Sequence, residues 1–368
     1  MSKVSVRFVR LELLRGLAAL LVLFEHVELL FGSQLQVPFR NINGALGVDI
    51  FFVISGFLMV HVSGDYAAGW MSARNFIVNR ISRILPLYWV MTAIYALAFM
   101  AAGKFEYVSW EAFVKSLLFI PYGTLNSDGN FPPIVGVGWT LNYEMMFYGI
   151  FALVIVVMGR NAAWGCTMII VSIVTLDIVS IGVGYELLSP YLLIKNPIAL
   201  EFAMGMLVGL LMRREKLLIG KSASIVIVAL VTIYLLAAVI FPMQAGGFKP
   251  LLYGLPSAIL VYSIVMWDRL TGQPSSQEGK FEKISFYLGK LSYSLYLTHF
   301  IGLMVAVVII QKLFGSAMAL TLVVVPVTAV TIILLLLLAD GFHRYIEQPS
   351  SHWAKRLLSG GKQQAVSA

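Results

Sequence analysis

The sequence predicts an all-α, polytopic integral membrane protein of about ten transmembrane helices, with both termini in the cytoplasm. Three observations carry that prediction. Of the 368 residues, 60% are hydrophobic and only 12% charged, about half the charged fraction of ordinary soluble domains. The apolar residues come in blocks. Residues 317–339 contain no charge, and about 20 apolar residues cross a bilayer as one helix. The basic residues, finally, fall unevenly between alternate loops. This composition excludes a cytosolic enzyme, a disulfide-stapled secreted domain and a disordered chain. The single cysteine, Cys166, lies in an apolar run and argues against structural disulfides and cysteine-ligated zinc.

Apolar runs bounded by charges, proline and glycine place spans near 11–32, 44–62, 81–102, 137–158, 164–183, 198–212, 222–241, 251–267, 291–311 and 317–339. With ten spans the two termini share a side. The loops on that side hold nineteen of the 26 lysines and arginines, and the opposite loops hold six. Basic loops stay in the cytoplasm, which orients the chain. The net charge of +8 is therefore a topology signal, and no nucleic-acid partner is expected. No cleavable signal peptide is expected either, because the first apolar run is too long and too charged. Residues 109–120, SWEAFVKSLLFI, read as an amphipathic helix at the outer interface. Residues 268–289 read as a cytoplasmic loop. The domain division is a transmembrane unit over 1–349 and a disordered cytoplasmic tail over 350–368.

Ionisable groups inside a span are costly and mark function. In LELLRGLAALLVLFEHVELL, Arg15 and His26 differ by about 20° around the helix and about 17 Å along it. Glu12 lies within about 40° of His26 on the same stripe. Two readings stand open for that face: a functional track from the cytoplasmic end inwards, or a capping ion pair and a hydrogen-bonded buried histidine. Arg80 and Arg83, in RNFIVNRISRILPLYW, project i,i+3 from one face at the cytoplasmic boundary. Paired guanidiniums suit phosphate, and equally suit ordinary positive-inside anchoring. Asp49 (GALGVDIFFVISGFL) and Glu144 (VGWTLNYEMMFYG) lie near external span ends. His299 (SYSLYLTHF) lies within the ninth span, and Glu201 in the sixth has no evident partner. DGFHRYIEQP sets His343, Arg344 and Glu347 at the cytoplasmic surface. Gly205 and Gly209 form a small-xxx-small pair suited to helix packing. Phosphate-loop, dinucleotide and HExxH motifs are absent. The histidines lack metal-ligand spacing, so no metal is predicted.

Taken in order, Arg15-Gly16 and His26, GVDIFFVISGF, RISRILPLY, WTLNYEMMFY, LGKLSYSLYLTHF and RYIEQP resemble the acyltransferase-3 family of membrane O-acyltransferases. The motifs extend over residues 12 to 349. They are similar in particular to those of stand-alone bacterial exopolysaccharide and nodulation-factor acetyltransferases. The chain runs about twenty residues past Pro349, so the hydrolase-like domain fused to some relatives is not expected. One departure lies in the fourth span, where relatives often read WSLSVEEQFY and this chain offers the single acid Glu144 followed by Met145.

The resemblance implies ten spans with cytoplasmic termini, a multi-pass place in the bacterial inner membrane, an acyl-CoA donor (acetyl-CoA above all) and an acceptor sugar hydroxyl. It implies His26 as the catalytic histidine, with Arg15 and Glu144 beside it in the catalytic set. Arg80 and Arg83 become the acyl-CoA-binding pair, and Glu12, Asp49, His299 and Glu347 support. The acceptor expected is an exopolysaccharide or other cell-surface or lipid-linked glycan, with membrane lipid as surroundings. Direct transfer with His26 as base is preferred over an acyl-enzyme. The competing reading is a secondary transporter or flippase of a glycan or lipid-linked precursor. That class often shows two related halves, and no such symmetry is visible here.

Overall fold

The computed structural model describes residues 8–35, 42–64, 66–123, 131–183, 193, 196–214, 219–243, 248–271, 279–314 and 321–359. Among these residues there are twelve α-helices and no strand. They are α1 (Val9–Leu35), α2 (Leu46–Ser63), α3 (Trp70–Ala101), α4 (Trp110–Leu117), α5 (Trp139–Met158), α6 (Ala162–Gly182), α7 (Ala199–Arg214), α8 (Lys221–Ile240), α9 (Leu255–Thr271), α10 (Lys280–Phe314), α11 (Thr321–Phe342) and α12 (Gln348–Leu358). Each of the ten expected intervals holds one helix, and α4 occupies the expected amphipathic stretch. Seven stretches are long and apolar enough to cross a membrane, and one of these, Gly136–Gly182, contains both α5 and α6. The chain is a multi-pass helical membrane protein.

Three boundaries differ from the expectation. Helix α3 starts at Trp70 rather than near 81, and α10 at Lys280 rather than near 291. Both leading segments are too mixed in polarity to register as apolar runs, yet neither contains a proline. With 32 and 35 residues the two helices run about 48 and 52 Å, well beyond a hydrocarbon core of about 30 Å. The 268–289 loop is correspondingly shortened. The expected disordered tail instead begins as a helix through Leu358, because QPSSHWAKRLL is amphipathic and starts with proline in its first turn. Lys3, Arg7, Arg40, Lys195, Lys216, Lys362 and the tail from residue 360 lie outside the described residues.

The chain divides into two compact units, Met1–Val62 with Asn196–Leu335, and Ser63–Lys195 with Leu336–Ala368. In the first, α1 lies along α10 and also touches α9, which packs on α7 and α8. Leu11, Leu14 and Ala18 of α1 join Ile50, Val53 and Phe57 of α2 and Val261 and Val265 of α9 in one apolar core. The start of α1 is pinned by Asp268 at the end of α9. Its carboxylate accepts the Arg10 backbone N–H at 2.9 Å and the guanidinium at 2.6 Å, and the same guanidinium lies 4.4 Å over the Trp267 ring. An acid at this point satisfies an orphan donor of the first turn and suits the positive end of the helix. Asp49, with a fully buried side chain, pairs with Lys249 at 3.0 Å.

Gly205 and Gly209 do the packing work their spacing suggested. A methyl group on Gly205 would sit 2.0 Å from the Val53 carbonyl oxygen, and one on Gly209 would sit 2.6 Å from Val60 Cβ. Helix α7 therefore meets α2 backbone to backbone.

In the second unit α3 packs on α5, α4 and α12, and α5 on α6. Helix α4 is capped by Ser109, whose hydroxyl accepts from Ala112 N–H at 3.0 Å. It is tied to α3 by the Trp89 indole, which donates to the Leu117 carbonyl at 3.0 Å. Helix α12 is fastened at its end by Arg74 of α3, which donates to the Leu358 carbonyl at 2.6 Å.

The α7–α2 contact yields a test of the first unit. Gly205→Leu is expected to cost about 3 kcal/mol or more through overpacking, read as loss of the monodisperse protein in detergent and a lowered melting temperature. Gly149→Ala, where no atom lies within 4 Å of an added methyl, is the matched control and leaves both unchanged.

Candidate active site

Within the first unit α1 and α10 run side by side in the same direction, and their contact carries the polar groups of the α1 stripe. Near its start Glu12 accepts from Arg15 Nη1 at 2.9 Å. The space for this pair comes from α10. A methyl group on Gly289 would lie 2.1 Å from Glu12 Oε2 and 2.9 Å from the Glu12 carbonyl oxygen, so the carboxylate occupies a notch that only glycine leaves open. The Arg15 side chain is 12% exposed, and a guanidinium largely withdrawn from water is stabilised by a carboxylate partner of this kind.

About 17 Å further along the helix, His26 meets His299 of α10. The rings lie edge to face with centroids 5.0 Å apart, and His299 Nε2 is 3.3 Å from His26 Nδ1. His26 Nδ1 is also 2.8 Å from the Val22 carbonyl oxygen. His299 Nδ1 is 3.0 Å from the Leu295 carbonyl oxygen. Phe300 closes a further side of His26, with ring centroids at 5.2 Å. His26 is half-buried and His299 is 1% exposed. Only the first of the two can be reached from outside the packed bundle.

The other expected residue of this unit, Asp49, is engaged by Lys249, with Glu201 next to them. Glu201 thus sits beside that ion pair, a neighbourhood that the sequence alone did not supply.

Within the second unit Arg80 and Arg83 lie deeper along their helix than expected, because α3 starts at Trp70. Arg80 is about 15 Å from that start and is level with the middle of α5. Its guanidinium is 5.7 Å from the Phe76 ring centroid and 5.5 Å from that of Tyr148, within reach of cation–π attraction. The Tyr148 hydroxyl donates to Glu144 Oε1. Arg80, Tyr148 and Glu144 thus form one chain from α3 to α5, and Arg83 adds its charge one turn beyond Arg80. At the far end of α11 the backbone widens into a π-turn over His343–Glu347. There His343 Nδ1 is 2.9 Å from Glu347 Oε2, and Gln348 Nε2 is 3.0 Å from His343 Nε2. Arg344 pairs with Asp340 at 2.8 Å instead.

The expected residues thus fall into local sets: Glu12 with Arg15, His26 with His299, Asp49 with Lys249, Glu144 and Arg80 joined through Tyr148, and Glu347 with His343. Tyr148 was overlooked, although it stands four residues from Glu144 on the same helical face. Gly289 and Gln348 carry no local signal, since one is defined by a neighbouring helix and the other by a π-turn. Among the described residues no three histidine, cysteine or acidic side chains gather as metal ligands do.

The first unit thus sets an imidazole of α1 against one of α10, and the second carries a double-arginine helix. The comparisons settle the family. The acyltransferase-3 family model, described as an acyltransferase domain, matches residues 8–340, and the chain belongs to that family. It is 32% identical over 262 residues to the exopolysaccharide production protein ExoZ of Rhizobium meliloti (strain 1021), covering 70% of this chain and 75% of ExoZ. It is 26% identical over 346 residues to BcsY of Komagataeibacter xylinus, named as a candidate membrane-bound transacylase, covering 86% of this chain and 78% of BcsY. Nodulation protein 10 of Rhizobium leguminosarum bv. viciae matches at 34% over 156 residues, 37% of this chain and 41% of that protein. No solved structure matches. The protein is a membrane acyltransferase.

The Glu144–Tyr148 bond offers a check on the second unit. In a cycle of Tyr148→Phe, Glu144→Ala and the double variant, unfolding in mixed micelles should show a coupling of about 1–3 kcal/mol. Additive costs would mean that the two side chains do not support one another.

Proposed function

We propose that this enzyme moves an acyl group, acetyl above all, from cytoplasmic acyl-CoA to a hydroxyl of an exopolysaccharide or its lipid-linked precursor, in the bacterial inner membrane with both termini cytoplasmic. The observation that carries the reading is the half-buried imidazole of His26, held at Nδ1 and offering Nε2, on the helix that also carries Arg15. The family supplies acyl transfer as the reaction class, and the likeness to the exopolysaccharide production protein ExoZ supports a saccharide acceptor.

The chemistry balances around one nitrogen. His26 Nε2 takes the proton of the acceptor hydroxyl as that oxygen bonds to the thioester carbonyl carbon. The tetrahedral intermediate collapses, the carbon–sulfur bond breaks, and the imidazolium returns the proton to the departing thiolate. No net proton is made or consumed, and an imidazole, which titrates near neutrality in water, suits a proton moved both ways. Transfer is direct. The one cysteine, Cys166, is buried in α6 and takes no acyl group. Arg80 and Arg83 bind the phosphates of the donor, with the Phe76 and Tyr148 rings steadying the Arg80 guanidinium. Guanidiniums match phosphate oxygens through paired hydrogen bonds. Glu12 holds Arg15 in place. Glu144, through Tyr148, keeps the aromatic wall beside Arg80. Asp49 and Glu347 hold their own helix ends through Lys249 and His343.

Purified protein in lipid nanodiscs, given radiolabelled acetyl-CoA and a saccharide acceptor, tests the reading. His26→Ala should lower transfer at least about 100-fold while the protein still folds. Full activity in that variant would remove His26 from the reaction. The double variant Arg80→Glu, Arg83→Glu should raise the KM for the donor at least about tenfold with a smaller change for the acceptor, since charge reversal opposes a polyanion. Unchanged donor binding would end the phosphate assignment.

A further inference from the structure

We propose that His299 is a positioning residue for His26. It accepts a hydrogen bond from His26 Nδ1–H at its own Nε2, fixes the ring plane, and stabilises the imidazolium that forms on His26 during transfer. The inference rests on the reading of His26 as the base.

Hydrogen-bond accounting leads there without appeal to charge. A backbone carbonyl only accepts, so His299 Nδ1, 3.0 Å from the Leu295 oxygen, carries a hydrogen. In the neutral ring Nε2 then bears a lone pair. His26 Nδ1 lies 2.8 Å from the Val22 oxygen and must carry a hydrogen for the same reason. That hydrogen is shared with His299 Nε2 at 3.3 Å, a donor facing an acceptor. Both rings are therefore Nδ1–H tautomers, and the nitrogen left to His26 for accepting a proton is Nε2.

The carbonyl bond alone would leave the His26 ring free to tilt about its own helix. The contact from α10 removes that freedom, and Phe300 limits it from another side with ring centroids at 5.2 Å. When Nε2 takes a proton, the charge spreads to Nδ1–H, and the lone pair of His299 is already aimed at it. This is the orienting part that a carboxylate plays in other histidine catalysts. A neutral imidazole does it here, without a second full charge in the bundle. His299, 1% exposed, cannot touch a substrate itself, and so its part is played through His26.

Two variants separate this role from packing. In His299→Met the volume is filled but no polar acceptor remains at that point. In His299→Gln the amide oxygen reaches the position of Nε2 and can accept from His26. Positioning predicts a fall in kcat on the order of 10- to 100-fold for His299→Met, an unchanged donor KM, and recovery of most of the rate in His299→Gln. Equal rates in His299→Met and wild type, or a methionine variant more active than the glutamine one, would overturn it. Nitrogen-15 histidine spectra of the full chain in bilayers give a readout apart from activity. Both His26 and His299 are expected as neutral Nδ1–H tautomers, and either ring found as the Nε2–H form overturns the proposal. If His26→Ala is inactive while His299→Met is fully active, the positioning role fails and the function stands. If His26→Ala is fully active, the function reading fails and takes this role with it, even with the tautomers as expected.

Discussion

The parallel contact of α1 with α10 is the constraint on which the first unit depends. Lipid supplies no water to satisfy a polar group, so each polar side chain on α1 needs a partner from a neighbouring helix or its own backbone. Helix α10 provides both kinds of relief along one seam: an empty notch at Gly289 for the Glu12 carboxylate, and an imidazole acceptor at His299. Moving α10 by one turn would take both away together. The fit of two helices and the chemistry of the α1 stripe are thus a single requirement.

The second unit shows the same economy by different means. Arg80 is kept among aromatic rings, and the phenol next to it is committed to Glu144. A guanidinium loses less on leaving water than an ammonium does and stacks on ring faces. Arginine is therefore the cation that a helix can carry this far along. The π-turn at His343–Glu347 spends one backbone irregularity to aim His343 at both Glu347 and Gln348, in keeping with the frequent placement of such turns at functional sites.

Much of this was legible in the sequence. The ten intervals found their helices because apolar runs report what must avoid water. The Arg15–His26 stripe was legible because 100° per residue is arithmetic. Gly205 and Gly209 spoke through spacing alone. What the sequence withheld is of two kinds. The leading turns of α3 and α10 are polar on one face, and a search for apolar runs stops where the first charge appears although the hydrogen-bonded helix continues. Partnerships across distance, such as Asp268 with Arg10, Lys249 with Asp49, or His299 with His26, join residues more than 190 positions apart. No local pattern encodes them. His299 was visible as a buried histidine, and its partner was not.

The clasp of Asp268 on Arg10 has a consequence for the site far from it. Helix α1 is a rigid screw, and Asp268 holds its first turn at a set height and phase. His26 stands sixteen residues further on, so its azimuth toward α10 is counted out from that clasp. Inserting one residue between them would advance the ring by about 1.5 Å and swing it through about 100°, away from the seam. The interval between clasp and imidazole thus works as a gauge. Substitutions along it can be tolerated wherever packing allows, while a change in its length cannot.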